Sequence, residues 1–110
     1  EKLNGPDRTF MERLRNVMQD HLADSNMKMD DLGSGLGISR VQLYRKVKAL
    51  TGLSPVELLR QMRLQKAYSL LKTTDLTISE IAYSVGFSSP GYFSTCFKKQ
   101  YGKYPTELKK

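Results

Sequence analysis

The stretch that decides the fold runs from residue 36 to residue 52 and reads LGISRVQLYRKVKALTG. Its apolar residues Leu43, Val47 and Leu50 recur at steps of four and three, which indicates a helix from about residue 40 to 51. Ser39 precedes this helix and Gln42 follows three residues later, the reciprocal pair that caps free amide groups at a helix start. The stretch therefore predicts a turn and then an amphipathic helix whose other face carries Arg and Lys.

A second copy of this pattern lies in residues 85–102, which read VGFSSPGYFSTCFKKQYG. The turn glycines Gly37 and Gly86 align 49 residues apart, and after one extra residue Leu43 aligns with Phe93 at an offset of 50. A repeat of this length is the signature of a duplicated supersecondary unit. The sequence therefore predicts two helix-turn-helix units in one chain.

Helix periodicity and punctuation extend this prediction to the whole chain. Further helices are expected at about 8–24, 29–36, 55–73, 78–85, 90–101 and 105–109, and no strand is indicated. The predicted fold is all-α, with seven helices in two helix-turn-helix subdomains of homeodomain-like helices that a long linker helix joins. The expected divisions are a tail or linker over 1–7, a first subdomain over 8–54, the linker helix over 55–73 and a second subdomain over 74–110.

Two local expectations accompany this fold. Capping pairs are predicted at Thr9 with Glu12, Ser39 with Gln42, Ser54 with Glu57 and Thr77 with Glu80. Gly33 aligns with Ala82, so a close approach of two helices is expected to require a small residue there. Gly35 aligns with Ser84, and no packing reason for a glycine is expected at that position.

The composition excludes several classes of protein. No apolar run approaches the ~20 residues that a membrane-spanning helix needs. One Cys and one His among 110 residues provide neither an internal disulfide nor a zinc site, so no metal and no cofactor are expected. The chain does not begin with Met, and we expect it to be a piece of a longer protein.

The charge distribution favours a polyanionic partner. The chain carries a net charge of +7; residues 1–31 hold five basic and seven acidic residues, and residues 32–110 hold thirteen and four, so the segments carry −2 and +9. The second helix of a helix-turn-helix enters the DNA major groove, which is ~12 Å wide. Two such helices in one chain predict binding to successive major grooves on one face of double-stranded DNA, ~34 Å apart.

Three motifs carry a family resemblance that covers about residues 8–109. Residues 37–48 with Thr51-Gly52-Leu53-Ser54-Pro55 resemble the first half of the DNA-binding domain of AraC/XylS-family bacterial transcription regulators. Arg63-Leu64 with Ala67 resembles the linker helix of that family, and Ile78-Ser79-Glu80-Ile81-Ala82 with Val85-Gly86-Phe87 resembles its signature second half. The sequence is also similar to the C-terminal output domain of Bacteroides-type hybrid two-component regulators.

The resemblance implies which residues contact DNA. Base contacts are expected from Val41, Gln42, Tyr44 and Arg45 in the first recognition helix and from Gly91, Ser94 and Thr95 in the second. Phosphate contacts are expected from Arg40, Lys46, Lys48, Ser89, Lys98 and Lys99. Family members often carry a long polar side chain where this sequence has Thr95, so the second helix is expected to read fewer bases.

The implied function is sequence-specific DNA binding as the output domain of a cytoplasmic transcription regulator. The expected partners are double-stranded DNA, sensor and receiver domains of the same chain, and RNA polymerase; no membrane contact is expected. No catalytic constellation is present in the sequence, although a hybrid parent protein would carry a histidine kinase. The alternative is a basic helical module that binds an acidic protein without reading DNA.

Overall fold

The computed structural model describes residues 3–109, and within that range the chain forms seven α-helices and no strand. The helices are α1 (Gly5–His21), α2 (Met29–Leu36), α3 (Arg40–Thr51), α4 (Pro55–Thr73), α5 (Ile78–Ser84), α6 (Pro90–Tyr101) and α7 (Pro105–Leu108). The all-α prediction is confirmed. No helix in the described range is long and apolar enough to cross a membrane.

The helices group into two compact units. The first contains Glu1–His21 and Asn26–Leu59, and the second contains Leu22–Ser25 and Arg60–Lys110. The boundary therefore falls inside α4, which contributes its first turn to one unit and the rest of its length to the other.

The core of the first unit comes from the inner faces of α1, α2 and α3. The fully or almost fully buried side chains there are Leu14, Met18, Leu32, Leu36, Leu43 and Val47. Leu43 and Val47 stand one helical turn apart, so α3 presents one continuous apolar stripe to its unit. This burial decides which side of α3 faces away from the core.

The second unit has a more aromatic core. Its buried residues are Leu64, Ala67, Leu71, Ile81, Ala82, Val85, Phe87, Phe93 and Phe97. The Phe93 ring lies 5.3 Å from the Phe87 ring in an edge-to-face arrangement and 5.7 Å from the Phe97 ring. Such ring pairs stabilise a core beyond the apolar area that they bury. Phe93 and Phe97 occupy the positions on α6 that Leu43 and Val47 occupy on α3.

Three of the four predicted capping pairs are confirmed. They are Ser39 with Gln42, Ser54 with Glu57 and Thr77 with Glu80. The hydrogen bond from the Thr77 backbone N–H lowers the pKa of the Glu80 carboxyl, because it favours the charged form.

The predicted cap at Thr9 with Glu12 is wrong, because Thr9 lies inside α1. The helix begins four residues earlier, where the Asn4 side-chain oxygen accepts a hydrogen bond of 2.8 Å from the Asp7 backbone N–H. Asparagine is a strong helix cap, and Pro6 suits the first turn, where no N–H is required. Residues 5–7, expected in a tail, are thus helical, and Glu1 and Lys2 lie outside the described residues.

Both glycines of α2 have a packing reason. A Cβ on Gly33 would lie 2.6 Å from the Ile38 carbonyl oxygen, so a small residue is required as expected, but the close neighbour is the turn before α3 and not a second helix. A Cβ on Gly35 would lie 2.8 Å from the Val17 side chain of α1, so the expectation for Gly35 is wrong. The contact was not predictable because Val17 belongs to another helix.

The turn before α6 depends on an unusually crowded glycine. Gly86 has φ +96°, and a Cβ there would meet the Leu22 carbonyl oxygen and, at 2.6 Å, Nε of Arg63. That Nε donates 2.9 Å to the Leu22 carbonyl, and Nη2 of Arg63 donates 2.8 Å to the Asp24 carbonyl. Burial lowers the pKa of Arg63, and the charge of Asp24 opposes that shift. Within the second unit, Gly86 leaves room for the guanidinium that holds the segment Leu22–Ser25.

We expect Gly86→Ala to destabilise the protein by about 2 kcal/mol more than Gly37→Ala. Both glycines have positive φ, which costs an alanine about 1–2 kcal/mol, but only Gly86 has neighbours within 4 Å of the missing Cβ. The measurement is urea unfolding followed by circular dichroism. Equal losses for the two variants would show that the crowding at Gly86 relaxes without cost.

Candidate nucleic-acid interface

Helix α3 presents its predicted base-contacting residues on the side opposite its buried stripe. Val41 is 56% exposed and Tyr44 is 49% exposed, and Arg45 is also exposed. Large apolar side chains at this exposure contribute less to folding than buried ones, because about half of their surface stays in water. The outer face of α3 therefore combines an aliphatic group, an aromatic ring and a guanidinium.

The start of α3 is fixed by its capping pair. The Ser39 hydroxyl accepts a hydrogen bond of 3.1 Å from the Gln42 backbone N–H, and the Gln42 side-chain oxygen accepts one of 2.9 Å from the Ser39 N–H. Gln42 is exposed, and its amide nitrogen has no hydrogen bond within the described part of the chain. Of the four predicted base contacts on α3, Gln42 is thus the one already turned toward its own helix start.

Helix α6 presents much shorter groups at the matching positions. Gly91 and Thr95 are exposed and Ser94 is half-buried. The Thr95 hydroxyl donates 3.1 Å to the Gly91 carbonyl inside the helix. Ser89 caps α6 by accepting 3.2 Å from the Tyr92 N–H. The predicted reading positions of α6 therefore carry no long donor.

Three of the predicted phosphate-binding cations have partners within their own unit. Arg40 lies 3.9 Å from Asp30, with both side chains about 70% exposed, so this ion pair is weak. Lys46 lies 3.9 Å from Asp7, and its Nζ stands 5.0 Å above the centre of the Phe10 ring.

The third paired cation is Lys98, which lies at the end of α6. It donates 3.0 Å to the Gly102 carbonyl and stands 5.1 Å from the centre of the Tyr104 ring. Lys48 and Lys99 are exposed and make no ion pair or side-chain hydrogen bond with the residues that the structure describes. These two lysines are the most available of the predicted phosphate contacts.

A shallow groove flanks the outer face of α3. It is lined by Phe10, Ile38, Gln42, Arg45 and Lys46. The groove places a cationic rim over an apolar floor, which the charge pattern of α3 alone did not predict.

Sequence reasoning also did not predict a contact in the second unit. Nη1 of Arg60 on α4 lies 3.3 Å from the hydroxyl of Tyr92 on α6. The two residues are separated by 32 positions, and no local pattern links them. Among residues 3–109, no group of His, Cys, Asp and Glu is arranged to hold a metal ion.

Comparison with known families agrees with this geometry. A family model described as "Helix-turn-helix domain" matches residues 32–110. That range includes both recognition helices, α3 and α6.

Two curated relatives illustrate the range of proteins that contain a segment similar to this chain. The chain is 36% identical over 101 residues to Histidine kinase P4 of Formosa agariphila, which covers 92% of the chain and 7% of the relative. It is 34% identical over 92 residues to the HTH-type transcriptional activator RhaS of Escherichia coli, which covers 84% of the chain and 33% of the relative. The chain thus spans a third or less of these proteins.

Three solved structures share the fold. The C-terminal domain of AraT, a response regulator of Geobacillus stearothermophilus, has a TM-score of 0.82 at 36% identity, over 98% of this chain and 86% of that one. An AraC-type transcriptional regulator of Chromobacterium violaceum has a TM-score of 0.86 at 28% identity, over 96% and 93%. The DNA-binding domain of AdpA, solved in complex with a target DNA, has a TM-score of 0.77 at 30% identity, over 86% and 87%.

The family match over most of the chain, the two helix-turn-helix units and the neighbours of known structure agree with one another. This chain belongs to the helix-turn-helix domain family of the AraC type, the DNA-binding domains of transcription regulators.

Proposed function

We propose that the chain recognises a specific double-stranded DNA site with α3 and α6 in successive major grooves. The observation that carries this proposal is the division of α3 into a buried stripe, Leu43 and Val47, and an outer face with Val41, Tyr44 and Arg45 exposed. A helix with this division can enter a groove without giving up its core contacts.

Specificity comes mainly from α3. Arg45 reads a guanine edge through two parallel hydrogen bonds, a contact worth about 1–3 kcal/mol of discrimination. Val41 contacts a thymine methyl group, and Tyr44 packs beside it. Gln42 contributes through its amide nitrogen, because its oxygen serves the helix cap.

The second recognition helix, α6, positions the protein on DNA more than it reads the base sequence. Gly91, Ser94 and Thr95 are too short to span much of a groove, and the Thr95 hydroxyl is already bonded to Gly91. Contacts from Ser89, Lys98 and Lys99 to the phosphates of the DNA then fix the register of the protein on the duplex without reading bases.

The proposed phosphate-binding cations differ in whether they already have a partner within the protein. Lys48 and Lys99 are exposed and bind phosphates directly. Arg40, Lys46 and Lys98 exchange an internal partner for a phosphate, so each contributes less net free energy.

The full-length protein that we propose is a cytoplasmic regulator of two-component type. The relative named Histidine kinase P4 and the AraT response regulator both contain a segment similar to this chain. On that basis sensor and receiver domains of the same polypeptide control this domain, and a histidine kinase belongs to such a parent chain. RNA polymerase is the proposed downstream partner.

Arg45→Ala and Lys48→Ala test the division between reading and anchoring. We expect Arg45→Ala to lose about tenfold or more in preference for a selected site over random duplex while it keeps random-duplex affinity. Lys48→Ala weakens both alike and reduces the slope of log affinity against log salt by about 1. The measurement is a fluorescence anisotropy titration with both duplexes at several salt concentrations. Identical behaviour of the two variants on both duplexes would contradict the assignment.

Asp7→Asn tests the competition at Lys46. Removing the carboxylate frees Lys46, so we expect affinity for all duplexes to rise by about twofold to fivefold at low salt. Glu12→Gln is the matched control, because it removes the same charge from an exposed position of α1. An equal rise in both variants would indicate a general charge effect, and no rise in Asp7→Asn would remove Lys46 from the phosphate contacts.

A further inference from the structure

The second unit holds an exposed aromatic ring next to its short reading residues. Tyr92 is 52% exposed and lies between Gly91 and Phe93 in the first turn of α6. Its ring centre is 5.9 Å from that of the buried Phe87, with the planes tilted by 57°. One side of this half-exposed ring is therefore anchored on the core of the unit.

The hydroxyl group of Tyr92 is also held in place, by a hydrogen bond from Arg60. Nη1 of Arg60 donates to the Tyr92 oxygen at 3.3 Å, and Arg60 itself is half-buried on α4. Tyrosine rotates about only two side-chain bonds, so contacts at the ring and at the oxygen fix its direction. An exposed side chain fixed at both ends costs little additional entropy when it binds a partner.

The first unit has a different residue with different contacts at the position equivalent to Tyr92. Gln42 aligns with Tyr92 and Ile38 aligns with Phe87, and in the first unit these two residues line an open groove. The Gln42 side chain turns back to Ser39, whereas Tyr92 contacts Phe87 and Arg60. At this position the first copy of the repeat therefore has a side chain that caps its own helix, and the second copy has an outward-facing phenol.

The chemistry of the pair suits a phosphate group. Because the phenol oxygen accepts from Arg60, its own O–H is left as a donor. The guanidinium has five N–H donors, and the bond to Tyr92 uses one of them. The remaining donors and the positive charge match the oxygens of a phosphodiester.

We propose that Arg60 and Tyr92 form a phosphate-binding pair through which the second unit grips the DNA backbone. Tyr92 donates its O–H to a phosphate oxygen, and Arg60 supplies the charge and holds the phenol in place. This inference rests on the proposed DNA-binding function and explains how a unit with short reading residues stays in register. It adds two contacts that the sequence-based assignment did not include.

The test uses Arg60→Gln and Tyr92→Phe, which keep the side chains close to their original size. We expect Arg60→Gln to weaken binding to a selected site and to random duplex alike by about fivefold to tenfold, and to lower the salt slope by about 0.9. Tyr92→Phe should weaken both by about threefold to fivefold with the slope unchanged, because the lost group is neutral. The double variant should lose less than the product of the two factors, because both groups serve one phosphate.

Two matched controls accompany these variants. Lys66→Gln removes a charge from an exposed position on the same helix as Arg60, and Tyr83→Phe removes a hydroxyl from another exposed tyrosine of the second unit. Both should keep the affinity and slope of the unmodified chain.

The outcomes separate the two levels of the proposal. An unchanged salt slope in Arg60→Gln, or full affinity in Tyr92→Phe, would overturn the pair while leaving DNA binding intact. An unmodified chain that failed to prefer the selected site would overturn the proposed function and the pair with it. A purely structural role for Arg60 would lower the unfolding temperature without moving the slope, and would also overturn the pair.

Discussion

The structure depends on the burial of one apolar stripe on each recognition helix. Leu43 and Val47 on α3, and Phe93 and Phe97 on α6, are completely buried. Burying a side chain of this size stabilises the folded state by about 1.5–3 kcal/mol, so rotating either helix about its axis would cost several such contributions. The stripe therefore fixes both the helix and the identity of the residues that face outward.

The two copies of the repeat keep this constraint and differ in what they place on the free side. On α3 the outer face carries Val41, Tyr44 and Arg45, of which the tyrosine and the arginine reach well beyond the backbone. On α6 the corresponding residues, Gly91, Ser94 and Thr95, have short side chains or none. The exposed ring of Tyr92 directly follows Gly91, at the position that aligns with Gln42 of α3. The two copies thus share a buried apolar stripe, and they differ in the residues that the stripe leaves on the outer face, which is the difference that the proposed roles of α3 and α6 rest on.

Much of the fold was predictable because its signals are local. The caps at Ser39, Ser54 and Thr77 each join residues three positions apart, and the buried stripes follow helical periodicity within one element. One prediction was wrong because a residue of another helix decides, and one was wrong because two local caps compete for the same helix start. Gly35 is a glycine because Val17 of α1 lies against it, and α1 begins at Gly5 because Asn4 caps it in place of Thr9.

The same distinction applies to the candidate interface. Periodicity places Val41 and Arg45 on the outer face of α3, since that face follows from the buried one. The partners of Lys46 and Arg60 were not predictable, because Asp7 reaches Lys46 and Arg60 reaches Tyr92 across long separations in sequence. Tertiary contacts of this kind have no periodic signature in one sequence.

Hydroxyl-radical footprinting of the chain on a selected duplex tests most directly whether both recognition helices of one molecule bind the same face of DNA. The expected pattern is two protected segments on one face whose centres lie one helical turn apart, about 10 base pairs. A single protected segment, or two segments on opposite faces of the duplex, would contradict binding in successive major grooves.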